Sequence, residues 1–395
     1  MLKKLLSGLL ALSLTIAPHS VLNSSAKIEN AGAVLPSAFG YEPQDEDERG
    51  LWLQMDEFEK KLKHSKLLVK DPKLNAYIQR VLCNTVGQER CASTRVYIMR
   101  TPYFNASMAP NGMMMVWSGL LLRVRNEAEL ASVLGHEFGH FENQHSLQSF
   151  RDIRAKTDAM AWFSLVPVVG SLAQFSLMGS LFKFNRQMER EADMIALNYM
   201  SSNGYDPKAA ATIWEQLRGE MDATAKGRKQ KSRKDMNGGF FATHPNSKER
   251  MEYLKDAAGD KGSAGFRDGA AEYRAALKNW WPRLIDDQIK LNDFGATEFL
   301  LEQLASNGWT SDLLFARGEL YRARGRSSDF EKAIGYYRKA AAKRDAAPEC
   351  WRGLGLALMR SGAVDEGKAA LRKYLKRKPD ADDRAMIGMM ARASK

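Results

Sequence analysis

Apolar residues recur three or four apart between residues 51 and 82: Trp52, Met55, Phe58 and Leu62, then Leu74, Ile78 and Leu82. That spacing predicts two amphipathic helices, divided at Asp71-Pro72, where a capping residue precedes a proline suited to a first helical position. The period then shortens. "RVYIM" (95–99) and "MMMVW" (113–117) read as short strands, separated by the turn-forming "RTPYFNASMAPNG". A long helix is expected from Asn126, a natural cap, with Glu127 and Glu129 in its first turn facing the positive end of the helix dipole. It should run to about His145, and a further helix should span 185–201. Between them, residues 160–184 are the most apolar stretch after the amino terminus. Pro167, Gly170 and Gly179 break it, so it reads as two short helices over the core or as a hairpin touching a membrane.

After about residue 290 short helices predominate. Counted from Ser311, Gly318, Tyr321, Tyr337 and Ala340 suit a tetratricopeptide helix pair with three extra residues in the "RGRSSD" turn. Counted from Pro348, Trp351, Leu354, Gly355 and Pro379 fall on the 34-residue pattern. Residues 296–306 look like a preceding helix of the same array, which would leave a groove for a peptide or partner. The fold class expected is mainly α (α+β): a first domain with a small β-sheet, then a tetratricopeptide-like α-helical repeat domain.

The chain of 395 residues is too long for one core. The pattern divides it into a signal peptide (1–26), a loosely ordered acidic lead-in (27–50), a first domain (51–290) and the repeats (291–395). "MLKK" followed by "LLSGLLALSLTIA" has the charge and apolar core of an export signal, with cleavage expected near Ala26 and the mature chain in the periplasm. Export gives the cysteines a meaning: Cys83 and Cys91 could close a small disulfide loop, while Cys350 should pack inside a helix. A formal net charge of +12 favours anionic surfaces, including peripheral contact with a membrane. Nucleic acid is not an expected partner, because no aromatics are interleaved with a basic patch. The basic, glycine-containing stretch 222–239 should be a solvated loop.

The chemistry centres on "LASVLGHEFGHFENQH". His136 and His140 lie four apart, so on a helix both imidazoles leave one face and can meet one ion. Glu137, one step round, is badly placed to ligate but suited to act as general base on water activated by that ion. Zinc, one per chain, fits these donors. His145 is nine after His136 and off the register of a third histidine ligand, so it is read as a helix-end residue. "NRQMEREADMIAL" offers a better source: Glu189 and Asp193 share a helical face, one to bind metal and the other to orient a ligating histidine. Glu191, turned by about 200° from Glu189, should be solvated or paired with an arginine.

These segments together resemble the gluzincin metallopeptidases of peptidase family M48. "NASMAPNGMMMVWSGLL", "EAELASVLGHEFGH", "EREAD" and "THPNSKER" occur in the family's order over about residues 75–255. With the C-terminal repeats, the likeness is to its periplasmic BepA-type members. The resemblance implies zinc on His136, His140 and Glu189, with Glu137 as general base and Asp193 behind the ligands. It places His244 where members either stabilise the oxyanion or cover the metal, with Arg250 as a weaker candidate for transition-state support. It also implies that Met113–Val116 holds an extended peptide by strand addition.

The function expected is an exported zinc metalloendopeptidase acting on misfolded or stalled envelope and outer-membrane proteins. The repeats would dock substrate or the outer-membrane assembly machinery. The rival is an adaptor or chaperone that works through its repeats while its protease site stays shut.

Overall fold

The acidic end of the lead-in is helical. Asp45 caps α1 (Glu46–Lys63) by accepting from the Glu48 N–H, and Glu46, Asp47 and Glu48 fill the first turn. Asp47 and Glu48 then pair with Arg154 and Arg151 of α6 (His145–Arg154). The lead-in was expected to be loose because charge without apolar periodicity reads as solvated; here the charge is a cap and two ion pairs. The computed structural model describes residues 41–155, 184–235, 247–259 and 265–392. The signal-like segment 1–26, residues 27–40, residues 160–183 and His244 lie outside the described residues.

The chain divides between α1 and α2 (Pro72–Val86) where the sequence suggests, with Asp71 accepting from the Lys73 and Leu74 N–H groups and Pro72 opening the helix. A disulfide joins Cys83 of α2 to Cys91, the last residue of α3 (Gln88–Cys91), across a Cα–Cα distance of 5.0 Å.

Three strands follow: β1 (Arg95–Met99), β2 (Ala106–Met108) and β3 (Met113–Trp117). Their order is β1-β3-β2, with β3 parallel to β1 and antiparallel to β2. Residues 113–117 are therefore the centre of the sheet, and their backbone is committed on both sides. This corrects the expectation that Met113–Val116 is a peptide-binding edge. The continuous apolar run has its cause in burial on both faces. Met114 and Val116 enter the main core with Ile98, while Met113, Met115 and Trp117 enter a second core with Leu51, Met55 and Phe150 of α1 and α6. The edge nearer the histidines is β2.

After α4 (Ser118–Arg123), α5 (Glu127–Glu142) is buried on nearly every side. It packs against α2, β2 and the helices Arg186–Ser202 and Ala209–Gly227. A Cβ on Gly139 would stand 3.1 Å from the Cα and carbonyl oxygen of Ala192, and one on Gly135 would stand 3.4 Å from the Ala196 Cα. Two glycines thus set how closely these helices approach. The helix ends at Glu142, not at His145, because Gln144 turns left-handed (φ 54°) and the chain restarts as α6.

Helix Ala209–Gly227 runs into the stretch expected as basic loop, so residues 222–227 are helical. Helix Phe294–Leu304 lies across it, with Gly295 packed against the Ala223 carbonyl. Consecutive helices Ser311–Arg324, Asp329–Ala341, Glu349–Arg360 and Val364–Arg377 then pack each on the next. Tyr337 fills the space left by Gly318 and Gly353, and Leu371 the space at Gly355. Cys350 is buried with a free thiol. Among the described residues no helix is long and apolar enough to cross a membrane.

Glu59 joins α1 to the sheet. It accepts from Arg95 Nε and Nη2 (2.7 Å each) and from the Tyr97 hydroxyl (2.6 Å). Burial alone would raise its carboxyl; Arg95, Tyr97 and Lys63 outweigh that and hold it at about 2. Ionised Glu59 therefore stabilises the fold fully above its unfolded value near 4.5, and the contribution is lost as pH falls towards 2. In urea unfolding, Glu59→Gln should be less stable than the parent at pH 7. The gap should narrow steadily below pH 4.5; a gap independent of pH would show that the carboxylate charge is not what matters.

Candidate metal centre

Asn126 caps α5 by accepting from the Glu129 N–H, and Asn185 caps helix Arg186–Ser202 by accepting from Gln187 and Met188. These caps fix the start of the two helices that carry the donors. Four-residue spacing does the rest on each: His136 and His140 face helix Arg186–Ser202, which returns Glu189 and Asp193. All four side chains are buried.

The His136 and His140 Nε2 atoms stand 3.1 Å apart. Glu189 reaches both, Oε2 at 3.6 Å from His136 Nε2 and Oε1 at 3.5 Å from His140 Nε2. A tetrahedral ion with bonds of about 2.0–2.1 Å holds its donors roughly 3.3 Å apart, so the three residues fit a zinc-sized cation. Among the described residues they form the one group of three donors within 4.8 Å of one another. His145, read from the sequence as no ligand, is not part of that group.

The other ring nitrogen of His136 meets Asp193, Nδ1 to Oδ1 at 2.9 Å. Arg250 grips the same carboxylate through Nη2 to Oδ1 (2.6 Å) and Nε to Oδ2 (2.8 Å), and its Nη1 lies 2.8 Å from Glu189. The Tyr253 hydroxyl also donates to Asp193, and the Trp214 ring lies 4.1 Å from the guanidinium. Burial would push the Asp193 carboxyl up, but Arg250 and His136 outweigh it and hold it well below the usual carboxylate range. Burial, and then the Arg250 charge, lower His136, which keeps its imidazole neutral with a lone pair to offer. Arg250 is thus turned towards two carboxylates, an arrangement that positions the ligand set.

Glu137 is 4% exposed and lines a cavity together with His136, Asp193, Trp214 and Arg250. Phe104, Asn105 and Ala106, at the start of β2, form another wall. Sequence reasoning missed three neighbours of the histidines. His145 Nδ1 lies 2.9 Å from His140 Nδ1, Glu191 Oε2 lies 3.1 Å from His145 Nε2, and Phe184 stacks on His140 with ring centroids 3.8 Å apart. Helical phase counted through residue 145 sent His145 away; the left-handed turn at Gln144 brings it back.

Replacing Asp193 by asparagine should weaken binding of added Zn²⁺ by about 10–100-fold in competition with a chromophoric chelator, since it removes the charge that orients His136. Unchanged affinity would show that Asp193 serves packing alone.

The family model described as Peptidase family M48 matches residues 68–258. The chain is 35% identical over 185 residues to the mitochondrial metalloendopeptidase OMA1 of Schizosaccharomyces pombe, a match covering 46% of this chain and 52% of that protein. It is 33% identical over 174 residues to the mitochondrial metalloendopeptidase OMA1 of Arabidopsis thaliana, covering 42% and 32%. To the beta-barrel assembly-enhancing protease of Escherichia coli it is 27% identical over 187 residues, covering 42% and 38%. The chain spans about half the length of these relatives or less. The matched range contains the helix of His136 and His140, the helix of Glu189 and Asp193, and Arg250. Residues 68–258 of this chain thus resemble a Peptidase family M48 domain.

Proposed function

We propose that the chain is a zinc-dependent metalloendopeptidase that cleaves misfolded or stalled envelope proteins. The observation that carries the reading is convergence: three buried donors lie at zinc spacing, and one of them, His136, lines a cavity together with Glu137. Zinc, when bound, would supply Lewis acidity for the scissile carbonyl and for water. His136, His140 and Glu189 would hold it, and the cavity would exclude bulk solvent. Glu137 takes a proton from the attacking water and returns it to the leaving amine nitrogen. Among the described residues β2 offers the nearest unpaired backbone, and its first residue, Ala106, borders the cavity; an extended substrate laid along it would be held by main-chain hydrogen bonds with little sequence selectivity.

The export-like amino terminus and the Cys83–Cys91 disulfide support an oxidising compartment, and we place the protein in the periplasm. Two of the relatives are named as mitochondrial and one as a beta-barrel assembly-enhancing protease, so the last supports the envelope assignment by likeness alone. The helices of 291–395 are proposed as the tetratricopeptide-like part that docks substrates or the outer-membrane assembly machinery.

Glu137→Gln should lower peptide-bond hydrolysis by about 10²–10⁴-fold while zinc binding is retained, measured on an unfolded envelope protein as substrate. If proteolysis and the cellular phenotype survive that change, the chain acts through its repeats as an adaptor and the enzyme reading fails.

A further inference from the structure

We infer that His145 and Glu191 are positioning residues that fix the tautomer and orientation of His140 for metal binding. This rests on the metal-site reading above. His140 Nε2 faces the other two donors, at 3.1 Å from His136 Nε2 and 3.5 Å from Glu189 Oε1. As the ligating atom it must present a lone pair, so the neutral ring carries its hydrogen on Nδ1.

His145 offers that hydrogen a destination. His145 Nδ1 lies 2.9 Å from His140 Nδ1, and of two ring nitrogens in contact one donates and the other accepts. With His140 donating, His145 accepts on Nδ1 and carries its own hydrogen on Nε2. Glu191 Oε2 stands 3.1 Å from that Nε2 and accepts it. The Gln187 side-chain amide donates to the other Glu191 oxygen at 2.9 Å and holds the carboxylate in place. Every donor in the chain His140–His145–Glu191 thus meets an acceptor, and no other assignment of the two rings leaves Nε2 of His140 with a free lone pair.

The two ligating histidines are therefore supported differently. His136 meets a carboxylate directly, in a buried cluster with Arg250. His140 meets one through an intervening imidazole, and that carboxylate, Glu191, is 42% exposed in its side chain. Helix Arg186–Ser202 supplies all three carboxylates: Glu189 to the metal, Asp193 behind His136, and Glu191 behind His145.

The test is Zn²⁺ affinity by chelator competition on the full chain, with the visible spectrum of the Co²⁺-substituted protein as a second readout. His145→Ala should weaken zinc binding by about 10–100-fold and change the Co²⁺ bands. His145→Asn should recover part of the loss, because its carboxamide oxygen can accept from His140. Glu191→Ala, at a half-exposed position, should weaken binding in the same direction by less, with thermal unfolding of the metal-free protein unchanged; it keeps the test valid if His145→Ala does not fold. Zinc affinity within twofold of the parent in Glu191→Ala and either His145 variant would overturn the inference while leaving the metal site intact. A parent protein that binds no zinc would overturn the metal-site reading itself.

Discussion

The closeness of two helices governs the rest of this structure. Helix Glu127–Glu142 meets helix Arg186–Ser202 along a seam where Gly135 and Gly139 lie against Ala196 and Ala192. Each glycine immediately precedes one of the two histidines of the candidate metal site, and Ala192 immediately precedes Asp193. The residues that permit the approach are thus adjacent to those that exploit it. A side chain in the seam would have to displace backbone, not a flexible tip, because the nearest atoms at Gly139 are the Ala192 Cα and carbonyl oxygen. Donor spacing near 3.5 Å follows from this contact, and a shift of an ångström would place Glu189 out of reach of one histidine.

Closeness brings a second constraint, the burial of charge. Glu189 and Asp193 are each under 4% exposed, and an unpaired carboxylate there would cost several kcal/mol. Arg250, from helix Ser247–Gly259, answers both, and it is itself held against the Trp214 face. Two carboxylates against one guanidinium leave net negative charge in the cage, which suits a divalent cation. The same ion pairs tie helix Ser247–Gly259 to helix Arg186–Ser202, and the His136–Asp193 contact ties that helix to Glu127–Glu142, so the groups of the site also join the three helices.

What the sequence discloses about this site follows from locality. His136, Glu137, His140, Glu189 and Asp193 are readable because four-residue spacing on a helix determines a shared face with no knowledge of the fold. The role of Arg250 needs the return of a helix from more than fifty residues away, and only the structure supplies that. His145 was misplaced because one left-handed residue, Gln144, ends the helical phase, and glutamine gives little warning of it. β3 was taken for an edge because strand order in a sheet is non-local. The signal was nonetheless present: five successive apolar residues match a strand covered on both faces better than an alternating edge. The acidic lead-in failed for a similar reason, since a cap and two ion pairs leave no apolar period.

The helices after residue 290 meet the candidate metal site through helix Ala209–Gly227. That helix carries Trp214 against Arg250 and, turned by about 200° from it, Gln216 bonded to Glu129 of α5 at 2.5 Å. Another side meets Phe294–Leu304 at Gly295, and Glu220 pairs with Arg123 of α4, which also donates to Gln288. Arg123 and Glu220 are almost wholly buried, so this junction is a charged core contact and not a surface clasp. Helix Ala209–Gly227 is thus packed against both the helices of the candidate metal site and helix Phe294–Leu304, and it couples the packing of the two.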